Sequence, residues 1–166
     1  MSVPDERALM LLRIEGEEPM NVLISACLLG IRCRYNGTDK LDPRIAKLME
    51  KHHLVPVCPE IYGGLSTPRD PSERVGDRVL SKAKQDVTAE FARGAQETLA
   101  LARLYGCKYA VLKERSPSCG FGEIYDGTFS GALIPGSGVA AELLSAYGVT
   151  VLGESRMEEL LDIEDA

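Results

Sequence analysis

The sequence predicts an α/β fold: a single three-layer, Rossmann-like domain with a mainly parallel sheet flanked by helices, plus a small β-hairpin. Three observations predict it. Short apolar runs rich in β-formers recur at 22–26, 54–57, 109–112 and 149–152. Segments with helical periodicity separate them, and strand–helix alternation implies a parallel sheet covered on both faces through right-handed crossovers. The chain has 166 residues, 45% of them hydrophobic, which suits one domain with one core.

Taken in order, residues 1–19 read as an acidic N-terminal extension. Val22–Ala26 is the first buried strand. Asp42-Pro43 opens a helix that runs to about Lys51, with an acidic cap and Pro at its first position. His52 and His53 read as its solvated C-terminus, favoured there by the helix dipole. Leu54–Val57 is the second strand, ending at Cys58-Pro59-Glu60. Residues 63–74 are rich in Gly and Pro and lack either period, as functional loops often do.

Asp86 caps a long helix with Val87, Phe91, Ala95, Leu99 and Leu104 on one face, and Gly106 stops it. Tyr109–Leu112 is the third strand. Ile124–Phe129 reads as a hairpin turning at Asp126-Gly127, a pair that favours a type I′ turn. A helix over Gly138–Tyr147 and a fourth strand, Val149–Leu152, complete the domain at 20–153. Residues 154–166 read as an acidic C-terminal tail.

The net charge is −6. Residues 1–19 hold −3 and residues 154–166 hold −5, which leaves +2 for the intervening domain. Such a weak excess fits a small polar or anionic ligand and argues against duplex nucleic acid. No apolar run reaches the roughly 18–20 residues of a membrane span, and no basic region precedes an apolar stretch as in a secretory signal. A soluble, cytoplasmic protein is expected, with its oligomeric state undetermined.

Cysteines stand at 27, 33, 58, 107 and 119. An odd number at wide spacing, without CxxC, argues against both a disulfide framework and a zinc ribbon. Cys27, Cys58 and Cys119 each follow a predicted strand, in Ser25-Ala26-Cys27, Val57-Cys58-Pro59-Glu60 and Ser116-Pro117-Ser118-Cys119-Gly120. Carboxyl ends of parallel strands share one edge, where ligands bind, so these three thiols are expected to converge. A lone free Cys is commonly just a small buried hydrophobe, the reading that Cys107 keeps. Cys33 stays unassigned. Three converging thiols suit zinc, an iron–sulfur cluster with one iron left open, or a nucleophile without metal.

Four motifs in order, Ser25-Ala26-Cys27-Leu28-Leu29-Gly30, Arg34-Tyr35-Asn36-Gly37, Cys58-Pro59-Glu60 with Gly63-Gly64-Leu65-Ser66-Thr67-Pro68-Arg69, and Ser116-Pro117-Ser118-Cys119-Gly120, resemble the thiouracil desulfidase family over residues 20–153. Asn36 stands where the family pattern has Asp, and Ser66 where Pro is common. The resemblance implies a 4Fe-4S cluster held by three cysteines, here Cys27, Cys58 and Cys119. It also implies removal of sulfur from a thiolated pyrimidine, such as 4-thiouracil or its nucleoside, to give uracil and sulfide. A related branch acts on 4-thiouridine in tRNA through an extra domain for which this chain lacks room.

The expected chemistry is non-redox hydrolysis, with the open iron binding the substrate sulfur as a Lewis acid. Glu60 is the expected water-activating or proton-shuttling group. Ser116 is expected to orient substrate or donate a hydrogen bond to the ring, with an ST-turn or a helix cap as its alternative. Lys113, Arg69, Ser25 and Ser118 are expected to bind substrate, with solvated charge the alternative for Lys113 and Arg69. The competing function is an accessory protein that holds a cluster or persulfide and delivers sulfur to a partner; a zinc-bound nucleoside-binding domain is a third.

Overall fold

The structure, a computed structural model, describes residues 18–163, so most of the predicted N-terminal extension lies outside the described residues. Four parallel strands form the main sheet: β1 (Asn21–Ser25), β2 (His53–Val57), β5 (Tyr109–Leu112) and β8 (Thr150–Gly153), in the order β2-β1-β5-β8. β1 is central, and its Val22, Leu23 and Ile24 are fully buried. A strand covered on both faces needs no polar alternation, which is why these runs are continuously apolar.

Alternate residues feed two cores. Val22, Ile24, Val111 and Leu152 pack with Ile45 and Leu48 of α1 (Ile45–Lys51) and with Met157 and Leu160 of a C-terminal 3-10 helix (Glu154–Leu161). On the other face Leu23, Val57, Ala110, Leu112 and Val151 pack with α3 (Thr88–Leu104) and α4 (Val139–Ala146) through Leu99, Ala102, Ala141 and Leu144. Between β2 and α3 lie the short α2 (Pro59–Tyr62) and a hairpin of β3 (Ser72–Val75) with β4 (Arg78–Ser81). Among the described residues no helix is long and apolar enough to cross a membrane.

Several elements depart from the sequence expectation. The acidic C-terminal segment is no free tail through Leu161, because Met157 and Leu160 are buried beneath its charges. His52 is not solvated: it is 4% exposed, its Nδ1 accepts the Met20 N–H at 3.3 Å, and its Nε2 lies 2.8 Å from the Leu160 carbonyl. Regular α1 starts at Ile45, two residues later than expected, although the acidic cap is present: the Asp42 carboxylate accepts the Arg44 N–H at 3.0 Å and the Asp42 carbonyl accepts the Ile45 N–H at 3.1 Å. The β3–β4 hairpin includes the end of the segment expected to be irregular. β6 (Glu123–Tyr125) pairs with β7 (Leu133–Pro135), so Asp126-Gly127 begins a long loop rather than a two-residue turn. Leu104 is exposed, and Ala102 takes its place on the buried face of α3.

Candidate active site

The carboxyl ends of β1, β2 and β5 open into a cavity of about 610 Å³. All nine residues singled out from sequence line it: Ser25, Cys27, Cys58, Glu60, Arg69, Lys113, Ser116, Ser118 and Cys119. Cys33 lines it as well. Cys107 lies instead in the apolar core against α3 and α4, where burial raises its thiol pKa.

Each cysteine is set by local backbone. Cys27 sits in a 3-10 turn (Ala26–Leu29) closed by Gly30 at φ 90°, and its carbonyl accepts the Gly30 and Lys40 N–H groups. Cys58 directly precedes α2. That helix rests on α3 so closely that a Cβ on Gly63 or Gly94 would overlap the Glu90 or Pro59 carbonyl, respectively. Cys119 lies in a loop whose carbonyls serve the start of α4. Pro117 O accepts Val139 N at 2.9 Å, and Ser118 O accepts Ala140 N and Ala141 N at 2.9 and 3.1 Å. The loop thereby satisfies helix donors that would otherwise be unpaired.

The thiols share one electrostatic environment. Burial, then the charge of Cys58, pushes the Cys27 thiol up to about 11. Burial pushes Cys119 up to about 12, against hydrogen bonds from Ser25 and Ser118. A hydrogen bond from the Cys33 thiol, helped by the Ile61 N–H, holds Cys58 down to about 7 despite its burial. The same bond, then burial, raises Cys33. Cys58 is thus the thiol of the group that ionises most readily, and its neighbours resist ionising beside it. Among the described residues no three His, Cys, Asp or Glu side chains close up as a metal-binding group.

Glu60 is the polar hub. Its Oε1 accepts Arg69 Nε at 3.2 Å and its Oε2 accepts the Ser118 hydroxyl at 3.0 Å. Ser116 Oγ lies 3.0 Å from Ser118 Oγ and accepts the N–H groups of Ser118 and Cys119 at 3.2 and 3.1 Å. The ST-turn is therefore present, on a residue that also faces the cavity. Arg69 is a buried clamp rather than a solvated charge, since its Nη2 donates to the Cys33 carbonyl at 2.9 Å. Lys113 pairs with Glu154 at 2.6 Å, and its backbone N–H donates to Ser25 Oγ at 2.8 Å.

Sequence reasoning missed several lining residues, among them Glu73, Lys82, Tyr125 and Phe129. Glu73, an acidic residue, is only 5% exposed. The apolar Phe129, following Asp126-Gly127-Thr128, was the available signal, but it reads as strand rather than as a loop turned inward.

A family model described as 2-thiouracil desulfurase matches residues 22–156. An uncharacterised protein of Bacillus subtilis (strain 168), YbbK, is 43% identical over 150 residues, which span 84% of this chain and 99% of that protein. The solved structure of the 4Fe-4S-dependent thiouracil desulfidase TudS is similar with a TM-score of 0.81 at 42% identity, over 86% of this chain and 95% of that one.

Proposed function

The chain belongs to the 2-thiouracil desulfurase family, and we propose that it hydrolyses a thiolated pyrimidine, 4-thiouracil or its nucleoside, to the oxo base and sulfide with the help of a 4Fe-4S cluster. The observation that carries this reading is one cavity holding four thiols and a Glu60–Ser118 pair. The donor set fits the cofactor: thiolates are the preferred ligands of iron–sulfur clusters. Neighbouring thiols that oppose one another's ionisation gain most from a bound cation. Cys27, Cys58 and Cys119 would hold the cluster. When bound, it supplies an iron that no cysteine ligates, a soft Lewis acid suited to a thiocarbonyl sulfur.

The chain's own groups handle the ring and the protons. Glu60, ion-paired with Arg69, is poised as a carboxylate base that takes a proton from the water attacking the thiocarbonyl carbon. Ser116 and Ser118 form a short hydroxyl chain ending on that carboxylate, a path for returning the proton to the leaving sulfide. Lys113 and Ser25 present polar groups to the ring, and Arg69 fixes Glu60. The balance is water consumed, oxygen placed on carbon and hydrogen sulfide released, with no electrons transferred.

The test is the absorption spectrum of anaerobically reconstituted protein, recorded with 4-thiouracil while sulfide is assayed. A visible iron–sulfur band with substrate loss and sulfide release supports the reading. A coloured protein that turns over neither 4-thiouracil nor its nucleoside overturns it in favour of sulfur delivery. A colourless protein removes the cluster.

A further inference from the structure

We propose that Phe129 is the aromatic wall against which the flat ring of the substrate stacks, and that Glu73 is the positioning residue that holds it there. The inference rests on the substrate reading above. Phe129 lines the cavity from the 126–132 loop. Its φ is +57°, a left-handed conformation unusual for so bulky a side chain. Such backbone persists only where surrounding contacts over-determine it, and it clusters at ligand sites.

The contacts are present. Glu73, almost wholly buried on β3, accepts the Phe129 N–H on both carboxylate oxygens at 3.2 and 2.9 Å. Two residues earlier Gly127 lies so near β3 that a Cβ there would stand 2.6 Å from Val75 Cγ2. Lys84 Nζ lies 5.7 Å from the Phe129 ring centroid. Arg74 ties the hairpin to the rest of the domain through the Ser137 carbonyl at 2.7 Å and Glu142 at 2.6 Å. A buried carboxylate is thus committed to one loop amide, and the side chain it sets is an aromatic on the cavity wall. An aromatic face binds flat heterocycles by stacking and tolerates differences between them. The wall therefore supplies affinity for the ring, while the sulfur chemistry lies with the thiols and Glu60.

Uracil separates ring recognition from sulfur chemistry because it carries no sulfur. The experiment measures uracil binding by calorimetry and the KM and kcat for 4-thiouracil in the wild type, F129A, F129Y, E73Q and E73A. Uracil Kd and KM should rise about 10-fold in F129A, the usual scale for losing a base–aromatic stack, with kcat within about 3-fold. F129Y should restore both. E73Q keeps an acceptor for the Phe129 N–H and should stay near the wild type, whereas E73A should follow F129A. Unchanged uracil affinity in F129A, or a fall in kcat alone, overturns the proposal. A wild type that binds uracil more tightly than F129A but releases no sulfide supports the wall and removes the desulfidase reading. Absence of both binding and turnover in the wild type overturns both.

Discussion

The Glu60 carboxylate accepts the Ser118 hydroxyl at 3.0 Å, joining the residue two positions after Cys58 to the residue just before Cys119. Two strand ends, 58 positions apart in sequence, are therefore coupled through one proton-bearing contact beside the thiols. Glu60→Gln keeps an oxygen for Ser118 but removes the base and the Arg69 ion pair. Turnover should fall by roughly 100-fold or more, the usual scale of general acid–base catalysis, while iron content and visible absorption stay at wild-type levels. Near-normal turnover would take Glu60 out of the mechanism.

Metal-free protein should show one reactive thiol. Cys58 is held down to about 7, while Cys27 and Cys119 are pushed up to about 11 and 12. The thiolate is the nucleophile, so alkylation of Cys58 should rise as pH increases through about 7 and then level off. Cys27 and Cys119 should remain slow throughout that range. Pulse alkylation with iodoacetamide followed by peptide mass spectrometry reads each site. An inflection for Cys58 near the ordinary thiol value would contradict the hydrogen bond from Cys33.

Cys33 and Cys119 both line the cavity, yet the proposed ligand set includes only Cys119. Cys119→Ala should lose iron, colour and desulfidation together. Cys33→Ala should retain the visible band. In its metal-free form that variant should also move the Cys58 alkylation inflection upward, because the hydrogen bond from Cys33 is the largest influence lowering Cys58. A brown, active Cys119→Ala protein would sink the three-cysteine assignment.

The parts of the fold legible in the sequence are those decided locally. Val22–Ile24 and Tyr109–Leu112 are apolar because both sheet faces are covered, and the cysteines that follow parallel strands share one edge by topology. The rest depends on distant partners. His52 looks like a helix end until Met20 and Leu160, 32 and 108 positions away, supply its hydrogen bonds. Met157 and Leu160 are hidden among acids, and their three-residue spacing has meaning only once a 3-10 helix lies on α1. Cys33 is held in the site partly by Arg69, 36 positions on, which binds its carbonyl. In the β3–β4 hairpin, Glu73 and Arg74 break the apolar alternation because one holds the Phe129 loop and the other holds Glu142. Charged residues that form specific contacts within a strand erase the pattern by which strands are recognised.

The α2–α3 contact yields the last prediction. α2 has only four residues, so it has little stability of its own and takes its position from packing. Gly63 of its C-terminal end and Gly94 of α3 let the two backbones touch. Gly94→Ala is favourable for α3 as an isolated helix, since Ala is the better helix former by about 1 kcal/mol. Here the new Cβ would overlap the Pro59 carbonyl, which is backbone and cannot swing aside as a side chain would. Overpacking should win, lowering stability by about 1–3 kcal/mol in urea unfolding. The strain falls on Pro59, between Cys58 and Glu60, so iron content after reconstitution and turnover should drop in the same variant. Ala substitution at the exposed Gln96 of the same helix serves as the control and should change neither. If Gly94→Ala were instead more stable and fully loaded with iron, helix propensity would outweigh the contact, and α2 would not depend on α3 for its position.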